Sequence, residues 1–155
     1  MNQPFEILIA EDNPADVALV REALNMHGIN CVLHVLRDGE QALTHLESLD
    51  NDPKTPRVDL VILDMHLPKH DGEDILKRLR STKHYAQTPV IVMTAESTTL
   101  REEQAMKNRA MFYLRKPSTL EELSQLGAVV RNVLNPSTGE GRETPLGHGK
   151  AGGQL

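Results

Sequence analysis

Five short apolar runs, separated by longer amphipathic stretches, confine this chain to a narrow set of folds. They cover residues 7–10, 32–36, 60–63, 90–93 and 111–114, each of strand length and most of them rich in branched side chains. The third and fourth runs, Leu-Val-Ile-Leu and Val-Ile-Val-Met, are apolar throughout. A strand with no polar face must be covered on both sides, which is the situation of a parallel sheet between two helical layers. The segments between the runs have helical period and recognisable caps. Asn13-Pro14 supplies an N-cap and a proline at the first helical position, Val17, Val20 and Leu24 fall on one face, and Gly28 closes the helix. Asp38 caps a second helix with Leu43, Leu46 and Leu49 as its stripe, and Asp71 a third with Ile75, Leu76 and Leu79. Thr119-Leu120-Glu121-Glu122 is a capping-box pattern ahead of Leu123, Leu126, Val130 and Val133.

The fourth helical segment, residues 100–108, is different. Arg101, Glu102, Glu103, Gln104, Lys107 and Asn108 leave it a thin apolar stripe, so packing should hold it weakly. Strand and helix thus alternate five times, which predicts an α/β fold: a flavodoxin-like, doubly wound parallel sheet with right-handed crossovers and strand order 2-1-3-4-5. Ligands of such sheets bind at the carboxyl ends of the strands, where the order reverses between strands 1 and 3. The 155-residue length suits one domain. Its expected extent is residues 1–134. Residues 135–155 hold six of the ten glycines and few apolar side chains, which reads as a flexible tail.

Composition narrows the partners. A net charge of −5 without any basic run argues against nucleic acid. No segment reaches the roughly 18 apolar residues of a membrane span, and Met1-Asn2-Gln3-Pro4 lacks the basic start of a secretory leader. The lone Cys31, in an apolar run, reads as a buried reduced thiol. The expected location is the cytoplasm.

The chemistry lies at the strand ends. Strand 1 runs into Glu11-Asp12, strand 3 ends in Asp64, strand 4 in Thr94, and strand 5 is followed by Lys116-Pro117. In the order 2-1-3-4-5 these ends are neighbours. Each alone has a plain explanation: an acidic pair starts helices, a single Asp caps turns, a Lys before Pro is a solvated loop residue, and Thr favours strands. Four such accidents on one sheet edge are improbable together. Crowded carboxylates resist ionising unless a cation compensates them, and Mg²⁺ suits all-oxygen ligands and phosphate. His66 and His70 flank Pro68 in a loop and read as exposed histidines; hard Mg²⁺ would use oxygen instead.

Glu11-Asp12, Asp64-Met65-His66-Leu67-Pro68 with Gly72, Thr94-Ala95-Glu96 and Tyr113-Leu114-Arg115-Lys116-Pro117 together resemble the receiver domains of two-component response regulators. The resemblance spans about residues 5–134, and it implies the following roles. Asp64 would accept a phosphoryl group from a histidine kinase, and Glu11, Asp12, Asp64 and the backbone carbonyl of His66 would hold Mg²⁺. Thr94 and Lys116 would stabilise the phosphoryl group, and Tyr113 would move inward with Thr94 as the switch aromatic. Lys116-Pro117 would be a cis peptide, and Glu96 would either help govern the lifetime of the acyl phosphate or stand as a solvent-facing residue at the start of the fourth helix. Output would run through protein contacts or a histidine-phosphotransfer partner, with homodimerisation expected and neither nucleic acid nor membrane as partner. Glu11-Asp12-Asn13-Pro14-Ala15-Asp16-Val17 and the Pro-containing stretch 50–57 further resemble small stand-alone receivers that partner bacterial phytochrome kinases.

Two alternatives stand beside this reading. One is a receiver-like module that binds partners without phosphorylation. The other is an aspartyl-nucleophile phosphohydrolase of the haloacid-dehalogenase type, which wants a second acid two residues after the nucleophile, where this chain has His66.

Overall fold

A computed structural model describes residues 3–52, 54, 57–96 and 98–136. Ten elements alternate along the chain: β1 (Phe5–Ala10), α1 (Pro14–Met26), β2 (Cys31–Leu36), α2 (Gly39–Asp50), β3 (Leu60–Asp64), α3 (Gly72–Arg80), β4 (Val90–Thr94), α4 (Thr99–Lys107), β5 (Phe112–Arg115) and α5 (Leu120–Leu134). The strands form one parallel sheet in the order β2-β1-β3-β4-β5. The flavodoxin-like architecture expected from the alternation is the one observed. No described helix is long and apolar enough to cross a membrane. Most of the presumed tail, residues 137–155, lies outside the described residues.

The helix starts are written in single side chains. Asn13 accepts from the Ala15 N–H, Asp38 from Gln41, Asp71 from Gly72, Thr98 from Arg101 and Thr119 from Glu122. Each satisfies a donor that the first helical turn leaves unpaired. Gly28 has φ +62 and donates to the Asn25 carbonyl while Ile29 donates to Leu24, so α1 ends in the left-handed turn that glycine adopts without steric penalty.

Because successive strand residues face opposite ways, the sheet builds two cores. Ile7, Ile9, Ile62 and Ile91 pack with α1 and α5 through Val20, Leu126 and Val130. Leu8, Val61, Leu63 and Val92 pack with α2 and α3 through Leu46, Leu76 and Leu79. All five residues of β3 and of β4 are buried, as their unbroken apolar runs require. On α4 only Ala105 is buried and Leu100 is 64% exposed, so the thin stripe does give a loosely packed helix.

Three expectations need correction. No peptide bond among the described residues is cis, so Lys116-Pro117 is trans. Trans is the intrinsically preferred form, by about 0.5–1 kcal/mol for an X–Pro bond, and with it the Lys116 N–H reaches the Thr94 carbonyl at 2.8 Å. Cys31 is only partly buried, because β2 is an edge strand covered less completely than the centre of the sheet. Strand β5 begins at Phe112 and runs to Arg115, while Met111 lies in the connection and donates to the Val90 carbonyl.

Candidate functional site

The ends of β1, β3, β4 and β5 meet at one edge, and their polar residues converge there. Glu11 extends the ladder beyond β1, its N–H bonded to the Leu36 carbonyl, which draws the side chain under the edge until it is 1% exposed. Asp64 closes β3, aligned with Met93 of β4, and is 3% exposed. Asp12, one residue beyond Glu11, faces solvent. One oxygen each from Glu11, Asp12 and Asp64 lies within 4.8 Å of the others. Gly72 makes the approach of α3 possible, since a Cβ there would lie 2.5 Å from the Asp64 carbonyl oxygen and 2.6 Å from Met65 Cα.

One ammonium serves this acidic group. Lys116 Nζ lies 3.2 Å from Asp64 Oδ2, 3.1 Å from Glu11 Oε1 and 2.7 Å from Asp16 Oδ2. Burial alone would lower the Lys116 pKa, but its close contacts with Asp16 and Glu11 and the charges of Asp64 and Glu11 outweigh it and hold it above its ordinary value. Asp64 Oδ1 accepts from the His66 N–H at 3.0 Å. Glu11 Oε2 accepts from the Asn13 N–H at 3.1 Å, whereas buried Glu11 Oε1 has only the ion-pair contact to Lys116 and completes no hydrogen bond. Burial, and then the charge of Asp64, push the Glu11 pKa up to about 7 against the pull of Asn13 and Lys116. A buried carboxylate oxygen without a hydrogen bond, beside two further carboxylates, is the donor set that fits a hard divalent cation.

Thr94 and Tyr113 occupy the adjoining strands. Thr94 is fully buried, but its Oγ1 donates to the Glu96 carbonyl at 2.7 Å and accepts from the Glu96 N–H, so the hydroxyl is engaged in its own loop and makes no hydrogen bond to Asp64. Tyr113 is buried, and its hydroxyl has no hydrogen-bond partner among the described residues. Burial raises its pKa. His66 and His70 are exposed, as expected of loop histidines.

The edge therefore gathers Glu11, Asp12, Asp64 and Lys116, with Thr94 buried at the end of β4. Sequence reasoning missed Asp16, which makes the shortest contact to Lys116. Its position in the first turn of α1 reads as an acid facing the helix dipole, and only the fold aims it at the far end of β5. Likewise unforeseen, Arg101 of α4 reaches Asp71, the cap of α3, at 3.0 Å.

The chain is similar to known proteins in sequence and fold. Residues 7–127 match the family described as the response regulator receiver domain. The response regulator Rcp1 of Synechocystis sp. is 33% identical over 128 residues, covering 81% of this chain and 85% of Rcp1. The crystal structure of Mn(2+)-bound Rcp1 superposes with a TM-score of 0.74 at 30% identity, over 87% of this chain and 98% of that one. That of the phosphorylated cyanobacterial phytochrome response regulator RcpA gives 0.76 at 26% identity, over 88% and 98%. The receiver domain of the sensor histidine kinase PA1611 from Pseudomonas aeruginosa, with magnesium coordinated in its active-site cleft, gives 0.62 at 26% identity, over 81% and 95%. With the fold, the acidic edge and the family match in agreement, this chain belongs to the response regulator receiver domain family of two-component signalling.

Proposed function

We propose that this protein is a single-domain response regulator that accepts a phosphoryl group from a histidine kinase on Asp64 in a Mg²⁺-dependent reaction. The observation that carries the reading is the pairing of buried Asp64 with the Lys116 ammonium at 3.2 Å, beside Glu11 and Asp12. Glu11, Asp12, Asp64 and the His66 carbonyl would hold Mg²⁺, which when bound offsets charge on the transferring group. Asp64 supplies the carboxylate oxygen that forms the new bond to phosphorus as the P–N bond to the kinase's phosphohistidine breaks and its imidazole leaves, giving an acyl phosphate that water later hydrolyses to the free carboxylate and inorganic phosphate. Lys116 donates to a phosphoryl oxygen, and Thr94 leaves Glu96 to donate to another. Tyr113 follows Thr94 as the switch aromatic. Turnover is confined to the protein's own phosphorylation and dephosphorylation, and the phosphoryl state is passed on by protein contacts or to a histidine-phosphotransfer partner.

The likeness to Rcp1 and RcpA, together with the run from Glu11 to Val17, supports a bacterial phytochrome as the cognate kinase. Exposed Leu100 and Met106 on α4, Met111 before β5 and Leu120 on α5 support homodimerisation through the α4–β5–α5 face.

Acetyl phosphate with Mg²⁺ tests the acceptor. Intact-mass analysis should show one added phosphoryl group of about 80 Da on the wild type and none on Asp64→Asn, as a single carboxylate nucleophile requires. Labelling of Asp64→Asn at the wild-type level would remove Asp64 from this role. A wild type that takes no label would leave a module that binds partners without phosphorylation.

A further inference from the structure

The proposed phosphoacceptor chemistry leaves one carboxylate unused, and that carboxylate holds Lys116 most closely. Asp16 Oδ2 is 2.7 Å from Lys116 Nζ, against 3.1 Å for Glu11 and 3.2 Å for Asp64. The pair joins the first turn of α1 to the residue after β5, 100 positions apart in sequence. The Asp16 and Lys116 side chains are only 18% and 16% exposed, so the contact is not a screened surface pair of negligible worth. Because both carboxylates touch one ammonium, the Asp16 and Asp64 oxygens stand within about 6 Å of each other, a range at which like charges act strongly. An acid placed only to complement the helix dipole could point to solvent and would explain none of this.

Resting on Asp64 as the acceptor, we propose that Asp16 is a positioning residue that restrains phosphorylation by holding Lys116 as its own counter-ion. As the phosphoryl group arrives, about two negative charges gather at Asp64. Lys116 must turn toward them and give up its shortest contact, while the Asp16 charge repels the incoming group. An interaction that is stronger before transfer than during it slows the chemical step.

The test measures initial rates of acetyl-phosphate labelling of the full chain at saturating donor and Mg²⁺. Asp16→Asn and Asp16→Ser, two variants so that the result does not hang on one folding, should label about 3- to 10-fold faster than wild type, since both remove the charge that favours the ground state. Asp16→Glu should restore the wild-type rate, which a merely structural role for residue 16 does not predict. Labelling at or below the wild-type rate in both charge-removing variants overturns the restraint while leaving the acceptor intact. A wild type that takes no label overturns both readings.

Discussion

Glu11 shows how much one buried side chain settles. Burial and the neighbouring Asp64 raise its pKa from 4.5 to about 7, so in the metal-free protein the folded state binds a proton that the unfolded chain has already released. Folded-state protonation of this kind contributes stability below the unfolded pKa, and the contribution is lost as pH rises through the folded one. In EDTA, therefore, the free energy of unfolding should fall between about pH 4.5 and 7.5, by on the order of 1–3 kcal/mol from this group. Glu11→Gln cannot titrate, so urea titrations of the two proteins across pH isolate the effect. A constant difference between them would detach Glu11 from the slope. On the proposed function Mg²⁺ would bind the ionised cluster, so adding it should recover the loss at high pH, by about 1–3 kcal/mol at ten to a hundred times its dissociation constant.

At the scale of the element, α4 is the loosely packed helix that follows Thr94, and on the proposed function it is where phosphorylation of Asp64 would become a change of surface. The helix has nine residues and buries only Ala105. A helix so short depends on packing rather than on its own propensity, so small biases can move it. Its leading loop is tied to the site by the Thr94 bonds to Glu96, and its first turn to α3 by the half-exposed Arg101–Asp71 pair. If the phosphoryl group draws the Thr94 hydroxyl away, Glu96 loses its partner and the loop must rearrange. A ligand shifts such an equilibrium only through contacts that differ between the two arrangements. Beryllofluoride, standing in for the phosphoryl group, should therefore change amide exchange most around residues 95–115. Thr94→Ala should keep Asp64 open to labelling yet abolish that exchange response. An unchanged response in Thr94→Ala would exclude the hydroxyl as the link.

Across the whole molecule, one sheet serves two cores. Leu76 packs under one face and Leu126 under the other. Truncating either to Ala should cost about 2–5 kcal/mol, and because the two do not share a cavity the double variant should lose close to the sum. Both cores rest on the same five strands, so each variant should still unfold in a single transition when followed by far-ultraviolet circular dichroism in urea. Two resolved transitions would mean that the layers unfold separately.

The strand order and the meeting of Glu11, Asp12, Asp64 and Lys116 at one sheet edge were legible in the residues alone. An unbroken apolar run followed at once by a polar side chain marks both the burial of a strand and the point where it emerges, and right-handed crossovers leave few ways to order five such strands. The weak packing of α4 was legible for the same reason, since a helix without an apolar stripe has nothing to bury. The tertiary structure alone decided which carboxylate Lys116 prefers, which carbonyl the Thr94 hydroxyl meets, and that Lys116-Pro117 is trans. Apolar periodicity records which face of an element is buried. It carries no information on a contact such as Asp16–Lys116, which depends on angstrom-scale placement of side chains a hundred residues apart and on competition among neighbours of like charge.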